Sequence, residues 1–222
     1  MQSDRHSTQA LSLKGAWTVL VIAVCVLILK VTVVVVMNYR DYLPPNFEAD
    51  FLQGRDSYFW DGYHLAFYTH IAAGPWTLIA GMLLLSDHFR IRYRKWHRGL
   101  GRIQTAVMLV MIVPSGFWMA MYAATGTVAR AGFASLALAT GLCVYQGWKS
   151  AIARQFENHR RWMLRCYILL CSAVVLRLTA GFFIVTDFDA EWIYPASAWT
   201  SWLVPLTVFE LTSSIKHQAS AE

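Results

Sequence analysis

The chain has 222 residues, 57% of them apolar and only 14% charged, with a net charge of +6. An ordinary soluble domain carries roughly 25% charged residues, so the composition argues against a water-soluble globule. The positive charge sits in short loops between apolar runs, which is the topology signal of a membrane protein and not a basic face for nucleic acid.

The first apolar run, 16–37, follows Arg5 and Lys14. At about 22 residues it exceeds the roughly 7–15 of a signal-peptide core, and no small-residue cleavage site follows it, so it reads as an uncleaved anchor helix after a tail at 1–15. A span needs roughly 20 mostly apolar residues. Further spans are predicted at 62–86, 103–124, 129–149, 162–186 and 190–212, with a polar tail at 213–222. The fold class is therefore an all-α integral membrane helical bundle of about six transmembrane helices, in a single domain over 16–212. Pro195 and Pro205 interrupt the sixth span, and Pro114-Ser115-Gly116 predicts a kink in the third.

Two segments are basic: 87–102, with Arg90, Arg92, Arg94, Lys95, Arg98 and Arg102, and 150–161, with Arg154, Arg160 and Arg161. Alternate loops are acidic: Asp41, Glu48, Asp50, Asp56 and Asp61 in 38–61, and Asp187, Asp189 and Glu191 after the fifth span. The positive-inside rule then puts both termini in the cytoplasm; if the sixth span fails, the C-terminus moves outside. Tyr58, Phe59, Trp60 and Tyr63, with Trp192 and Tyr194, read as interfacial belts. The four cysteines lie in apolar segments without a CxxC pair and read as packing residues.

Polar groups inside a bilayer are expensive and face the bundle interior. His70, Arg177 and Lys30 fall at similar depth in the half toward the acidic loops, as a predicted intramembrane polar site. His70, Gly74, Thr77 and Gly81 share a helix face, a small and polar stripe that admits a second helix or a flat cofactor. His97, Gly101, Gln104, Met108, Met111 and Ser115 form a comparable stripe, and His159, Cys166, Ala173, Arg177 and Gly181 lie near one line. His97 and His159 each sit in a basic segment just before a helix start. Two histidines at one depth on different helices suit the axial ligands of a haem b. Arg98, Arg160 and Arg161 beside them suit haem propionates or lipid phosphates equally. Each group also has a plainer reading. His70 serves as a core histidine, Arg177 as a helix bridge, Lys30 as a snorkelling side chain, and Glu210 as a residue reaching the interface. No nucleotide-binding glycine loop follows a strand, and the histidines are too few and too scattered for a membrane di-iron site.

At His70, Trp96-His97-Arg98-Gly99-Leu100-Gly101-Arg102 and His159-Arg160-Arg161-Trp162-Met163-Leu164-Arg165 the chain resembles a family of uncharacterised bacterial integral membrane proteins, a domain-of-unknown-function family labelled "predicted membrane protein". The resemblance covers roughly 62–186 and implies a polytopic bacterial membrane protein with these histidines as its signature. It implies no settled activity. A looser likeness is to the four-helix core of cytochrome b561 and ferric-reductase proteins. Those carry paired histidines at both membrane levels, whereas His70 has no histidine partner at its depth, so one haem or none fits.

Three functions remain open on the residues. One is a b-type-cytochrome-like electron carrier, with haem at His97 and His159 and a quinone or proton site at His70 and Arg177. One is a small transporter using Lys30, His70 and Arg177. One is a non-catalytic assembly subunit. The lipid bilayer is the expected partner in each, with a quinone or redox partner in the first.

Overall fold

The computed structural model describes residues 2–49 and 51–218, and the side chains of 2–14, 17 and 216–218 lie outside the description. Its helices, in chain order, are α1 (Gln2–Met37), α2 (Asp56–Leu85), α3 (Asp87–Arg92), α4 (Arg94–Met121), α5 (Thr127–Ile152), α6 (Phe156–Val185) and α7 (Ile193–Gln218). Five stretches among the described residues are long and apolar enough to cross a membrane: 18–41 at the end of α1, then α2, α4, α5 and α6. Their outward faces carry Val19, Leu65, Val110, Leu138 and Ile184, all exposed, as a lipid-facing surface requires.

The sixth predicted span forms a helix, α7, but is not among those five. Its hydroxyls explain the shortfall: Ser197, Thr200, Ser201, Thr207, Thr212, Ser213 and Ser214 dilute the apolar run. Thr200, Thr212 and Ser214 donate back to the carbonyls of Ala196, Val208 and Glu210, which satisfies them within the helix. The predicted tails are also helical where described: α1 begins at Gln2 and α7 runs on to Gln218. Residues 219–222 lie outside the description.

Helices α2, α4, α5 and α6 close a four-helix ring, in which α2 and α5 each pack against both α4 and α6. Helix α1 lies against α2 and the second half of α6, and α7 against α5 and α6. The ring is filled by Ala73, Met108, Ile112, Cys143, Val144, Cys166 and Leu169, with Trp202 of α7. Close approaches occur at glycine. A Cβ on Gly81 would fall 2.7 Å from the Tyr167 ring, and one on Gly132 would fall 3.1 Å from the Ala198 carbonyl. Such small-residue crossings replace the hydrophobic drive that lipid removes. Arg165 adds a two-pronged pair with Glu210, Nε to Oε1 at 2.5 Å and Nη2 to Oε2 at 2.8 Å. Glu210 thus holds α7 to α6.

Where a kink is predicted, α4 carries a π-helical turn over Met108–Ile112, with Val113 between it and Pro114. Proline has no N–H for the carbonyl one turn back and its ring crowds that carbonyl, so the helix widens there. Pro75 in α2 leaves the Ile71 carbonyl without its helical donor. The Tyr39 hydroxyl, from the turn that follows α1, donates to that carbonyl instead.

Part of the predicted aromatic belt is buried instead of lying at the interface. Gly62 takes a left-handed φ of 97° that breaks α2 near its start, and the preceding chain folds over the helix ends. Leu52, Phe59, Tyr63 and Phe67 are buried together there, each worth about 1.5–3 kcal/mol as apolar surface removed from water. Of the predicted belt residues, Trp60, Trp192 and Tyr194 remain exposed.

Candidate functional site

Beneath this aromatic cap lies a cavity of about 720 Å³, lined by residues of α1, α2, α4, α5, α6 and α7 and partly open at its mouth, where Arg177 is exposed. It reaches from Tyr63 to Thr77 along α2, roughly 21 Å at 1.5 Å per residue. Most of its wall is apolar. The polar groups are His70 and Arg177, the hydroxyls of Tyr39, Tyr42, Tyr63, Tyr194, Thr77, Thr140, Ser172 and Ser197, the Asn38 amide, and Arg55 in the roof. No aspartate or glutamate is among the described residues that line it.

Each polar group is placed by its element. His70 is half-buried, and its Nδ1 lies 3.0 Å from the Ser115 hydroxyl of α4. Ser115 gives its one proton to the carbonyls of its own helix, at Met111 or Ile112. Its oxygen therefore accepts from His70 Nδ1–H, which leaves Nε2 with a lone pair in the neutral ring. Gly116 makes room for this imidazole, since a Cβ there would sit 3.3 Å from His70 Cε1. Arg177 stands on α6, one Nη donating 2.8 Å to the Ala173 carbonyl of its own helix. It lies within electrostatic reach of His70, Tyr39 and Tyr42.

Arg55 holds the cap down. Its Nε donates to the Phe51 carbonyl at 2.6 Å, and Nη1 donates to the Tyr58 hydroxyl at 2.9 Å and to the Tyr122 carbonyl of α4's end at 3.0 Å. Its guanidinium also lies over the Phe51 and Tyr63 rings. The sequence shows Arg55 only as one charge in an acidic loop, and nothing local marks it as part of a cavity roof. The Tyr58 and Tyr63 aromatics beside it were the available signal.

The predicted stripes divide. On α2, His70, Gly74 and Thr77 face the cavity, and Gly74 has open space where a Cβ would stand. Gly81, one level deeper, receives Tyr167 of α6 instead. On α4, Gln104 donates 2.9 Å to the Thr77 carbonyl and Ser115 meets His70, so these two members of that stripe face α2. On α6, Ala173 and Arg177 line the cavity while Cys166 is buried below it. Lys30 stays apart from the polar site. Ile28 and Thr32 are the buried face of α1, Lys30 is exposed, and it is not among the lining residues.

His97 and His159 lie at the other, basic end, and neither lines this cavity. They are within electrostatic reach of each other and both are half-buried. His159 Nδ1 donates 2.9 Å to the Gly147 carbonyl, which leaves its Nε2 available. His97 Nδ1 is buried without a hydrogen-bond partner among the described residues. The flanking arginines are exposed: Arg98 bonds the Arg94 carbonyl at 3.4 Å, and Arg160 pairs with Asp87 at 3.2 Å. Asp87, outside the membrane, also accepts from Arg90 at 3.0 Å. That bond first, and Arg160 after it, hold its carboxyl below the ordinary carboxylate range. Arg161 is exposed as well. No group of three or more metal-binding side chains occurs among the described residues.

No curated protein and no solved structure matches the chain. A family model does, over residues 67–213, which takes in His70, both basic histidine segments and nearly all of α7: the chain belongs to the family described as predicted membrane protein (DUF2306).

Proposed function

We propose that this membrane protein binds a lipid-soluble amphiphile in the cavity, with its polar head at His70 and Arg177 and its apolar body along the wall. The observation that carries this reading is the cavity itself, about 720 Å³ in size, apolar over most of its lining and polar at a few convergent points. The deep end meets the packed layer of Met108, Val144 and Leu169, each only 1% exposed. A blind site suits binding better than a through path for a transported ion. His70 Nε2 is an acceptor for a head-group hydroxyl, and Arg177 is a donor to a carbonyl or alkoxide oxygen. The reduced, hydroquinone form of a quinone-class carrier offers both on an apolar body, one hydroxyl donating to Nε2 and the other oxygen accepting from Arg177, which keeps the protein in the redox class, with the basic end in the bacterial cytoplasm by the positive-inside rule.

The test fills the cavity without disturbing the fold. Gly74 has free space toward its missing Cβ, and a side chain at a helical glycine improves helix propensity. Gly74→Leu is expected to abolish quenching of the intrinsic fluorescence by an alkyl-quinone in detergent, with the unfolding temperature unchanged or raised. Unaltered quenching in Gly74→Leu would place the ligand elsewhere and sink the reading.

A second site is supported by His159 and His97. A metal-ligating histidine commonly donates its other ring nitrogen to a carbonyl, which fixes the tautomer. His159 makes that bond to Gly147, and the orphaned His97 Nδ1 is a buried nitrogen in want of a partner. The two residues fit axial ligation of a haem b, with Arg98, Arg160 and Arg161 at hand for propionates. A haem there would supply one-electron chemistry to the quinone reading. Oxidised and dithionite-reduced spectra after expression with adequate haem test it, and a trace without Soret or α bands removes the haem.

A further inference from the structure

We infer that the head group bound at Arg177 carries a negative charge, so that the cavity selects acidic amphiphiles over neutral ones. This rests on the amphiphile-binding reading and narrows it. The reasoning begins with the two arginines of the cavity. Arg55 is engaged through Nε and Nη1, bonded to Phe51, Tyr58 and Tyr122, and its guanidinium lies over two rings. Its charge holds the cap. Arg177 is in a different position. It has one hydrogen bond, to a carbonyl of its own helix, and none of the ion pairs among the described residues includes it.

An arginine within the membrane is expensive unless it is paired. Elsewhere in this bundle the pairing is done by protein: Arg165 has Glu210 in a two-pronged bond. At Arg177 the nearby groups are the Tyr39 and Tyr42 phenols and the His70 ring. All three are neutral or basic, and Tyr39 has already given its proton to Ile71. The guanidinium therefore faces an acid-free cavity with donors to spare. The missing counter-charge is an oxyanion brought by the ligand: an ionised enol, a carboxylate or a phosphate on an apolar body. Guanidinium matches such groups in planar, two-pronged geometry.

The experiment compares two probes that share one body. A 2-hydroxy-3-alkyl-1,4-naphthoquinone is ionised at neutral pH, and its 2-methoxy ether is not. Binding of each to the purified full chain in neutral detergent is followed by quenching of intrinsic fluorescence. The hydroxy compound is expected to bind tighter than the ether by roughly ten- to a hundredfold, the range of a charge-assisted hydrogen bond. Arg177→Gln is expected to remove that preference and retain ether binding, which shows that the variant is folded. Arg177→Lys is expected to keep part of it. Equal affinity of the two probes for the unaltered chain, or a preference that survives Arg177→Gln, overturns the inference and leaves the cavity reading intact. Binding of neither probe overturns both. Competition by phosphatidylglycerol but not phosphatidylcholine would support the charge and assign the oxyanion to a lipid headgroup. Displacement by neither lipid, with the preference present, supports it with a free acid.

Discussion

Ser115 sets the chemical face that His70 shows to the cavity, through one contact of 3.0 Å between its hydroxyl and Nδ1. Because the serine proton is spent on the α4 backbone, the imidazole must donate from Nδ1 and keep its lone pair at Nε2. Ser115→Ala frees the ring to change tautomer and rotate. The expected result is a loss of about 0.5–1.5 kcal/mol in ligand binding, the worth of one such bond. Titration of an alkyl-hydroquinone, kept reduced, against the variant measures it. Unchanged affinity would show that the head does not use Nε2.

Gly116 predicts a sharper effect at the same ring. Its missing Cβ lies 3.3 Å from His70 Cε1, a contact that forces the imidazole to give way. Gly116→Ala is expected to weaken binding more than Ser115→Ala does, because it displaces the group and does not merely release it. The unfolding temperature should hold, since alanine is the better helix former. A fall in stability with binding intact would reverse the assignment.

Gly81→Ala predicts the opposite pattern. The added methyl would stand 2.7 and 2.8 Å from two carbons of the Tyr167 ring, and that ring is held by its hydroxyl at the Leu78 carbonyl, 3.2 Å away. Overpacking of this kind costs about 1–3 kcal/mol. Thermal unfolding in detergent should register it, and a Tyr167→Leu change in the same chain should recover part of the loss. Gly81 is not among the cavity-lining residues, so quinone affinity per folded molecule should not move.

These predictions separate two residues that the sequence presents alike. Helical spacing puts His70, Gly74, Thr77 and Gly81 on one face, and that much was legible. Whether a small residue on such a face receives another helix or opens onto a void depends on the partner helices, which period alone does not encode. The same limit hid the cap. Phe59 and Tyr63 read as interfacial aromatics because the turn at Gly62, beside which Leu52 and Phe67 pack on them, has no hydrophobic period to announce it. Arg165 and Glu210 are 45 residues apart, and pairing across that separation follows from tertiary packing alone. The spans, by contrast, were plain from composition, and α1, α2, α4, α5 and α6 fall close to their predicted positions. Lys30 was also legible in one of its two readings, since two residues from Ile28 is about 200° round the helix.

Tyr39 and Pro75 offer the most discriminating test of how the cavity wall is held. Pro75 has no N–H for the Ile71 carbonyl, and the Tyr39 hydroxyl supplies the missing donor from across the α1–α2 contact. Tyr39→Phe should leave that carbonyl without a partner inside the bundle, at a cost of about 1–3 kcal/mol. Pro75→Ala alone restores the helical N–H and should be tolerated well, because it removes the bend's cause and supplies a good helix former. The combination carries the argument. If the tyrosine acts by answering the proline, Tyr39→Phe in the Pro75→Ala background should cost little, and the double-mutant cycle should return a coupling of about 0.5–3 kcal/mol. If the two changes simply add, the Tyr39 hydroxyl has another role, as a cavity donor beside Arg177, and the loss should appear in quinone affinity instead of the unfolding temperature.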